Sequence, residues 1–211
     1  MRRLLPLLLV ALAGALAPSS APAQGRSALT IDYMVSMPEP ATHLYTVTAR
    51  VRIPAGRDSV DLHMPVWTPG SYLVREFERN VQDFTATSNG AALRWTKVDK
   101  NTWRVWPARN TTAFEATYRV YANELTVRTS HLDDTHGYFN GANLFVYADA
   151  SKRSPSRLTV VIPKAWDVAT GLARVGTPEP RGDTVAHAFT APDYDTLVDS
   201  PVETGLIRKL T

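Results

Sequence analysis

The stretch TVTARVRI, Thr46–Ile53, alternates apolar and polar side chains and stops at Pro54. A period of two sends successive side chains to opposite faces of an extended chain, so this segment reads as a half-buried β-strand. Ala55-Gly56-Arg57-Asp58 supplies the turn after it. Ser59–Val66 then alternates again, with Val60, Leu62, Met64 and Val66 facing one way and Asp61 and His63 the other. Asp83–Thr87 and Ala92–Val98 flank Ser88-Asn89-Gly90, and Asn-Gly is the strongest short hairpin signal. Thr102–Trp106 follows Asp99-Lys100-Asn101 and sets Trp103 and Val105 opposite Arg104 and Trp106. Ala113–Ala122, Asn143–Tyr147, Leu158–Ile162 and Thr184–Thr190 complete the set. The pattern predicts an all-β fold, an antiparallel β-sandwich of roughly nine or ten strands. Only Ser71–Phe84 differs: Val74, Phe77, Val81 and Phe84 are spaced as on a helix, yet Pro69-Gly70 before them favours a bend. A short helix and an irregular loop are both open there.

The N-terminus adds a location. Arg2 and Arg3 precede the apolar run Leu4–Ala17, and Ala21-Pro22-Ala23 has the small-x-small form of a signal-peptidase site. The apolar core is too short for an ordinary spanning helix. Residues 1–23 are therefore expected to be a signal peptide cleaved near Ala23, giving a periplasmic or secreted protein with no membrane association afterwards. The chain has no cysteine, which excludes disulfides and a lipoprotein anchor. The formal charge of +3 includes Arg2 and Arg3, and the remaining basic residues are scattered, so nucleic acid is not an expected partner.

Polar chemistry concentrates in HLDDTHGYFNGANLF, His131–Phe145. A zinc site needs three or four converging ligands, and His131 and His136 stand five apart, not at the i, i+4 spacing of one helical face. Asp133 and Asp134 add oxygens without completing an established ligand pattern, so a turn capped by these side chains is the simpler reading. No metal is assigned. Thr129-Ser130-His131 places a hydroxyl next to an imidazole, but neighbours on a strand point to opposite faces, and no Gly-x-Ser-x-Gly occurs. The carboxylate pairs Asp133/Asp134 and Asp193/Asp195 suit turns. Most of Trp67, Trp95, Trp103, Trp106 and Trp166 are expected in the core. Gly137-Tyr138-Phe139-Asn140-Gly141-Ala142-Asn143 could be a bent loop presenting backbone amides to a ligand, or a tight turn into a strand.

Met64-Pro65-Val66-Trp67-Thr68-Pro69-Gly70-Ser71-Tyr72-Leu73-Val74-Arg75-Glu76-Phe77 resembles a signature of the glycyl aminopeptidase family, the sixty-first family of metallopeptidases. Asp99–Trp103, Tyr121–His131, His136–Ala142 and Asp193–Glu203 resemble the same family in the same order. The resemblance implies that residues 24–203 are its N-terminal β domain. In that family a thermolysin-like domain with His-Glu-x-x-His and zinc follows, often with a PDZ domain. Neither the motif nor a PDZ-like segment occurs in these 211 residues. The resemblance therefore implies a non-catalytic domain, inactive alone, with no cofactor of its own and zinc in a separate catalytic domain. It implies a cleft for a peptide substrate shared with that domain, with Tyr138, Asn140, Gly141, Arg75 and Glu76 contacting the substrate or the domain junction. Residues 204–211 leave the family pattern and read as a divergent or truncated tail. The alternative is a free-standing periplasmic β-sandwich module binding peptide or glycan, for which Trp106 and Tyr138 would be the platform. A minimal metalloenzyme built on His131, Asp133 and His136 is a third reading.

Overall fold

The computed structural model describes residues 29–207. The expected leader and its expected cleavage point near Ala23 lie outside the described residues, as do the last four positions of the expected tail. Eight strands come first: β1 (Thr30–Ser36), β2 (Leu44–Arg52), β3 (Val60–His63), β4 (Val81–Ser88), β5 (Ala91–Ala92), β6 (Arg94–Asp99), β7 (Thr102–Trp106) and β8 (Ala113–Tyr121). The second half carries β9 (His131–Leu132), β10 (His136–Phe139), β11 (Ser156–Pro163), β12 (Asp167–Thr170), β13 (Ala173–Arg174), β14 (Glu179–Arg181), β15 (Thr184–Ala191) and β16 (Val202–Gly205). Two short helices, α1 (Gly141–Leu144) and α2 (Tyr194–Val198), interrupt it. No helix among the described residues is long and apolar enough to cross a membrane.

A nine-stranded sheet runs β13-β15-β11-β1-β2-β8-β4-β5, with β14 also pairing β15. A four-stranded sheet, β12-β16-β10-β9, and a three-stranded one, β3-β7-β6, complete the layers. The all-β sandwich is as expected, and the alternation that announced it is used directly. Along β2, Tyr45, Val47, Ala49 and Val51 are buried, and on β8 Phe114, Ala116, Tyr118 and Val120 face the same core. Asn89 and Gly90 both take positive φ, 50° and 80°, as a hairpin turn of this kind requires.

Three features differ from the sequence reading. The sandwich is mixed: β1 pairs β11 in parallel, Tyr33 opposite Leu158 and Ser36 opposite Val161. One edge of β1 is taken by its hairpin partner β2, so the returning chain docks on the other edge after a long crossover. The described residues form sixteen strands where nine or ten are expected: β5, β9 and β13 are two-residue pairings too short to show a period, and β1, β10, β12, β14 and β16 are further strands that the sequence reading does not name. The expected strand Asn143–Tyr147 is instead α1 and an irregular exit. Asn140 Oδ1 accepts from Ala142 N at 3.0 Å and starts the helix, as an Asn N-cap does. Ser71–Phe84 is irregular to Glu76, forms a 3-10 turn at Phe77–Asn80, and enters β4 at Val81. Of the tryptophans, Trp103 is fully buried, Trp67 and Trp95 are exposed, and Trp106 lies under the Arg94 guanidinium at 3.9 Å.

The exit from α1 is held by tyrosine hydroxyls. Tyr118 Oη donates to Leu144 O at 2.6 Å and accepts from Val146 N at 3.2 Å. Tyr33 Oη donates to Val146 O at 2.8 Å, Tyr194 Oη to Phe145 O at 2.6 Å, and Tyr45 Oη to His131 O at 2.8 Å. Tyr118→Phe would orphan a buried carbonyl and a buried amide at once. The expected cost is about 1–3 kcal/mol, read as a lower urea midpoint at unchanged slope.

Candidate functional site

The β9–β10 hairpin displays the polar stretch on one face of the four-stranded sheet. Leu132, Gly137 and Phe139 point into the core, and the alternate positions His131, His136 and Tyr138 point outward, half-buried. Tyr138 stands opposite His131 on one side and Glu203 of β16 on the other. Gly137 is required by close approach: a Cβ there would lie 2.5 Å from Tyr45 Oη and 2.8 Å from Thr204 Oγ1. Gly141 is required for the same kind of reason, since its Cβ would meet Val198 Cα of α2 at 2.9 Å.

Asp133 organises the turn between the strands. Its Oδ1 accepts from Thr135 N at 2.7 Å, Thr135 Oγ1 at 2.6 Å and His136 N at 3.0 Å. Its Oδ2 lies 3.1 Å from His131 Nε2. The Thr135 hydroxyl above all, with the Thr135 and His136 amides and the His131 ring, holds this carboxyl far below the usual range despite its partial burial. The His131 and His136 rings are 4.9 Å apart. One donor atom from each of His131, Asp133 and His136 can be chosen so that all lie within 4.8 Å of one another. The helical spacing rule does not apply because a hairpin, not a helix, brings them together.

The five residues expected to contact substrate or a neighbouring domain fall into two groups. Asn140 and Gly141 are buried and serve α1, as its cap and at its contact with α2. Tyr138 Oη reaches Val127 O at 3.3 Å, and burial, then Glu203, pushes its hydroxyl up. Arg75 is half-buried; its backbone N donates to Val66 O at 2.6 Å, and its Nε is buried without a hydrogen-bond partner among the described residues. Glu76 is exposed and pairs with Lys100 at 2.5 Å, which holds its carboxyl low. Arg75 and Glu76 line a cavity of about 380 Å³ with Val74, Glu124 and Thr129. The loop at 123–130 links the groups: Tyr138 reaches Val127 in it, and Asn143 Nδ2 donates to Arg128 O at 3.1 Å.

A larger cavity, about 690 Å³, lies elsewhere. Met64–Trp67 and Asn101 line one side, and Tyr147, Lys152 and α2 with Asp195, Asp199 and Ser200 line another. Lys152 Nζ sits 4.3 Å from the centre of the Tyr147 ring. An apolar wall with one ammonium and two carboxylates can hold a peptide end. No periodicity pointed to it; its trace in the sequence was that four of the family-like blocks converge there.

Burial raises the Glu203 carboxyl above its ordinary value, with His136 and His131 pulling it the other way. A raised folded value means that stability is present while the carboxyl is protonated and lost as pH rises through that value. Glu203→Gln is therefore expected to raise the urea midpoint at pH 7 and leave it unchanged below about pH 4; a loss of stability at pH 7 would contradict the sign.

Residues 32–206 match the family model described as the Peptidase M61 N-terminal domain. Among solved structures, an aminopeptidase N family protein from Idiomarina loihiensis is 31% identical, with a TM-score of 0.74, over 83% of this chain and 29% of that one. An M1 zinc metallopeptidase from Deinococcus radiodurans shares the fold at 15% identity and a TM-score of 0.54, over 86% of this chain and 43% of that one. A mutant of that enzyme bound to a Tyr-Ser-Ala substrate aligns equally well, with a TM-score of 0.54. The chain thus spans less than half the length of each. No curated protein matches.

Proposed function

The chain belongs to the M61 peptidase family through its N-terminal domain, and on that premise we propose that it is a non-catalytic wall of a zinc aminopeptidase's substrate cleft. The observation that carries this is an exposed apolar edge beside the 380 Å³ cavity. Tyr72, Leu73 and Val74 are 82%, 65% and 68% exposed, and Leu125 and Val127 across the cavity are 62% and 76% exposed. Arg79 and Glu124, 3.7 Å apart, tie the two segments into one surface. Clustered apolar exposure of this kind marks a surface that another domain covers.

In this reading the chain's residues position and do not react. Arg75 and Glu76 rim the junction, Tyr138 steadies the 123–130 loop, and α1 carries the loop on a rigid base. The zinc ligands of the family do not fit this chain: there is no His-Glu-x-x-His, and its own His–Asp cluster sits on a hairpin. Zinc and the peptide-cleaving water belong to the catalytic domain. The leader-like residues 1–23 and the lack of cysteine support a secreted or periplasmic setting. A second reading, a module that binds peptide by itself, is favoured by the 690 Å³ cavity with Lys152, Asp195 and Asp199 on its lining.

The purified chain is expected to show no zinc-dependent hydrolysis of glycyl or alanyl anilides, and to raise the activity of an M61 catalytic domain supplied in trans. Leu73→Glu with Val127→Glu should weaken that activation by about tenfold or more in apparent affinity, the equivalent of one lost apolar anchor. Hydrolysis by the chain alone would overturn the proposal, and tight peptide binding without a second domain would favour the module.

A further inference from the structure

We propose that His131, Asp133 and His136 form a binding site for a single divalent transition-metal ion of the zinc type, separate from any catalytic zinc. A capped turn accounts for Asp133 Oδ1, which already takes three donors. It does not account for Oδ2 facing His131 Nε2 at 3.1 Å, or for a second imbidazole packed 4.9 Å from the first. Two imidazoles and a carboxylate are the donor set of zinc and its neighbours in the transition series, whereas calcium and magnesium prefer oxygen alone. A tetrahedral ion about 2.0–2.1 Å from each donor needs them roughly 3.3 Å apart. His131 Nε2 and Asp133 Oδ2 already meet that spacing. His136 completes the set, since one donor atom from each of the three residues can be chosen within 4.8 Å of the others.

The surroundings are built for the same purpose. The Thr135 hydroxyl lies 3.0 Å from His136 Nδ1, so it can fix that ring and leave Nε2 for an ion, as outer hydrogen bonds do in metal sites. His131 Nδ1 is buried without a hydrogen-bond partner among the described residues, so Nε2, which faces Asp133 Oδ2, is the nitrogen it offers to an ion. Gly205 faces His136 across the β10–β16 ladder, and a Cβ there would lie 3.0 Å from His136 Cβ, so glycine lets the two strands approach closely at this position. Three protein donors leave one position for water or a partner's side chain.

The test uses the full, untagged chain, dialysed against chelator and titrated with Zn²⁺ by calorimetry, with Co²⁺ as a spectroscopic probe. The expected result is one ion per chain and the intense visible bands of four-coordinate cobalt. Binding should weaken as the pH is lowered, because protons compete with the ion for its ligands. His131→Ala and His136→Ala should abolish both signals, and Thr135→Val should weaken binding roughly tenfold through its effect on the ring. Circular dichroism of each variant checks that the fold persists; should a His variant unfold, Thr135→Val decides. Absence of stoichiometric binding, or binding unchanged in the variants, overturns the site. None of these readouts involves peptidase activity, so the outcome is independent of the role proposed above.

Discussion

Tyrosine hydroxyls pinning backbone carbonyls are what the rest of this architecture depends on. Residues 131–146 form an inner layer over the large sheet, and part of that layer is neither strand nor regular helix. Buried carbonyls without a ladder are costly unless something donates to them. Tyr33, Tyr45 and Tyr118 rise from β1, β2 and β8, and Tyr194 comes from α2, each ending on a carbonyl of that segment. Their rings fill the core while their hydroxyls do the work of missing strand partners. Burial pushes all four hydroxyls up, so they remain donors.

This arrangement explains how one segment can be rigid within and polar on its outer side. Its inner side, with Leu132, Phe139 and Phe145, is locked by packing and by those hydroxyls. Gly137 and Gly141 allow approaches that no side chain would permit. The outer side is then free to carry polar groups in fixed positions: His131, Asp133, His136 and Tyr138 on the hairpin, with Glu203 beside them. A site held on strands in this way keeps its geometry better than one on a free loop.

Much of the fold was legible because long strands repeat a local rule. Thr46–Ile53 and Ala113–Ala122 announce their buried faces residue by residue, and Asn89-Gly90 announces its turn. What stayed hidden depends on contacts distant in sequence. Nothing local says that β11 will dock parallel to β1, or that Asn140 will cap a helix where apolar residues suggest a strand. The hydroxyl of Tyr118 meets Leu144 and Val146, more than twenty positions away, and leaves no periodic trace. The candidate site shows the same division. Its residues stand out by composition, but the five-residue spacing of His131 and His136 fits no helical face, and a hairpin is what joins them. Asn140 and Gly141 were legible as special positions, though the reasons they are special lie in α1 and α2.

The parallel pair β1–β11 also sets an order of events. Tyr33 and Leu158 are partners across the whole intervening chain, so closing that pair carries a large loop entropy and a high contact order. Until residue 156 has been made, one edge of β1 has no strand to receive it, and the nine-stranded sheet cannot be completed. β15, which covers the far side of β11, comes later still. Pairings such as β2–β8 can close earlier, but one edge of β1 stays unpaired and exposed until β11 has been synthesised.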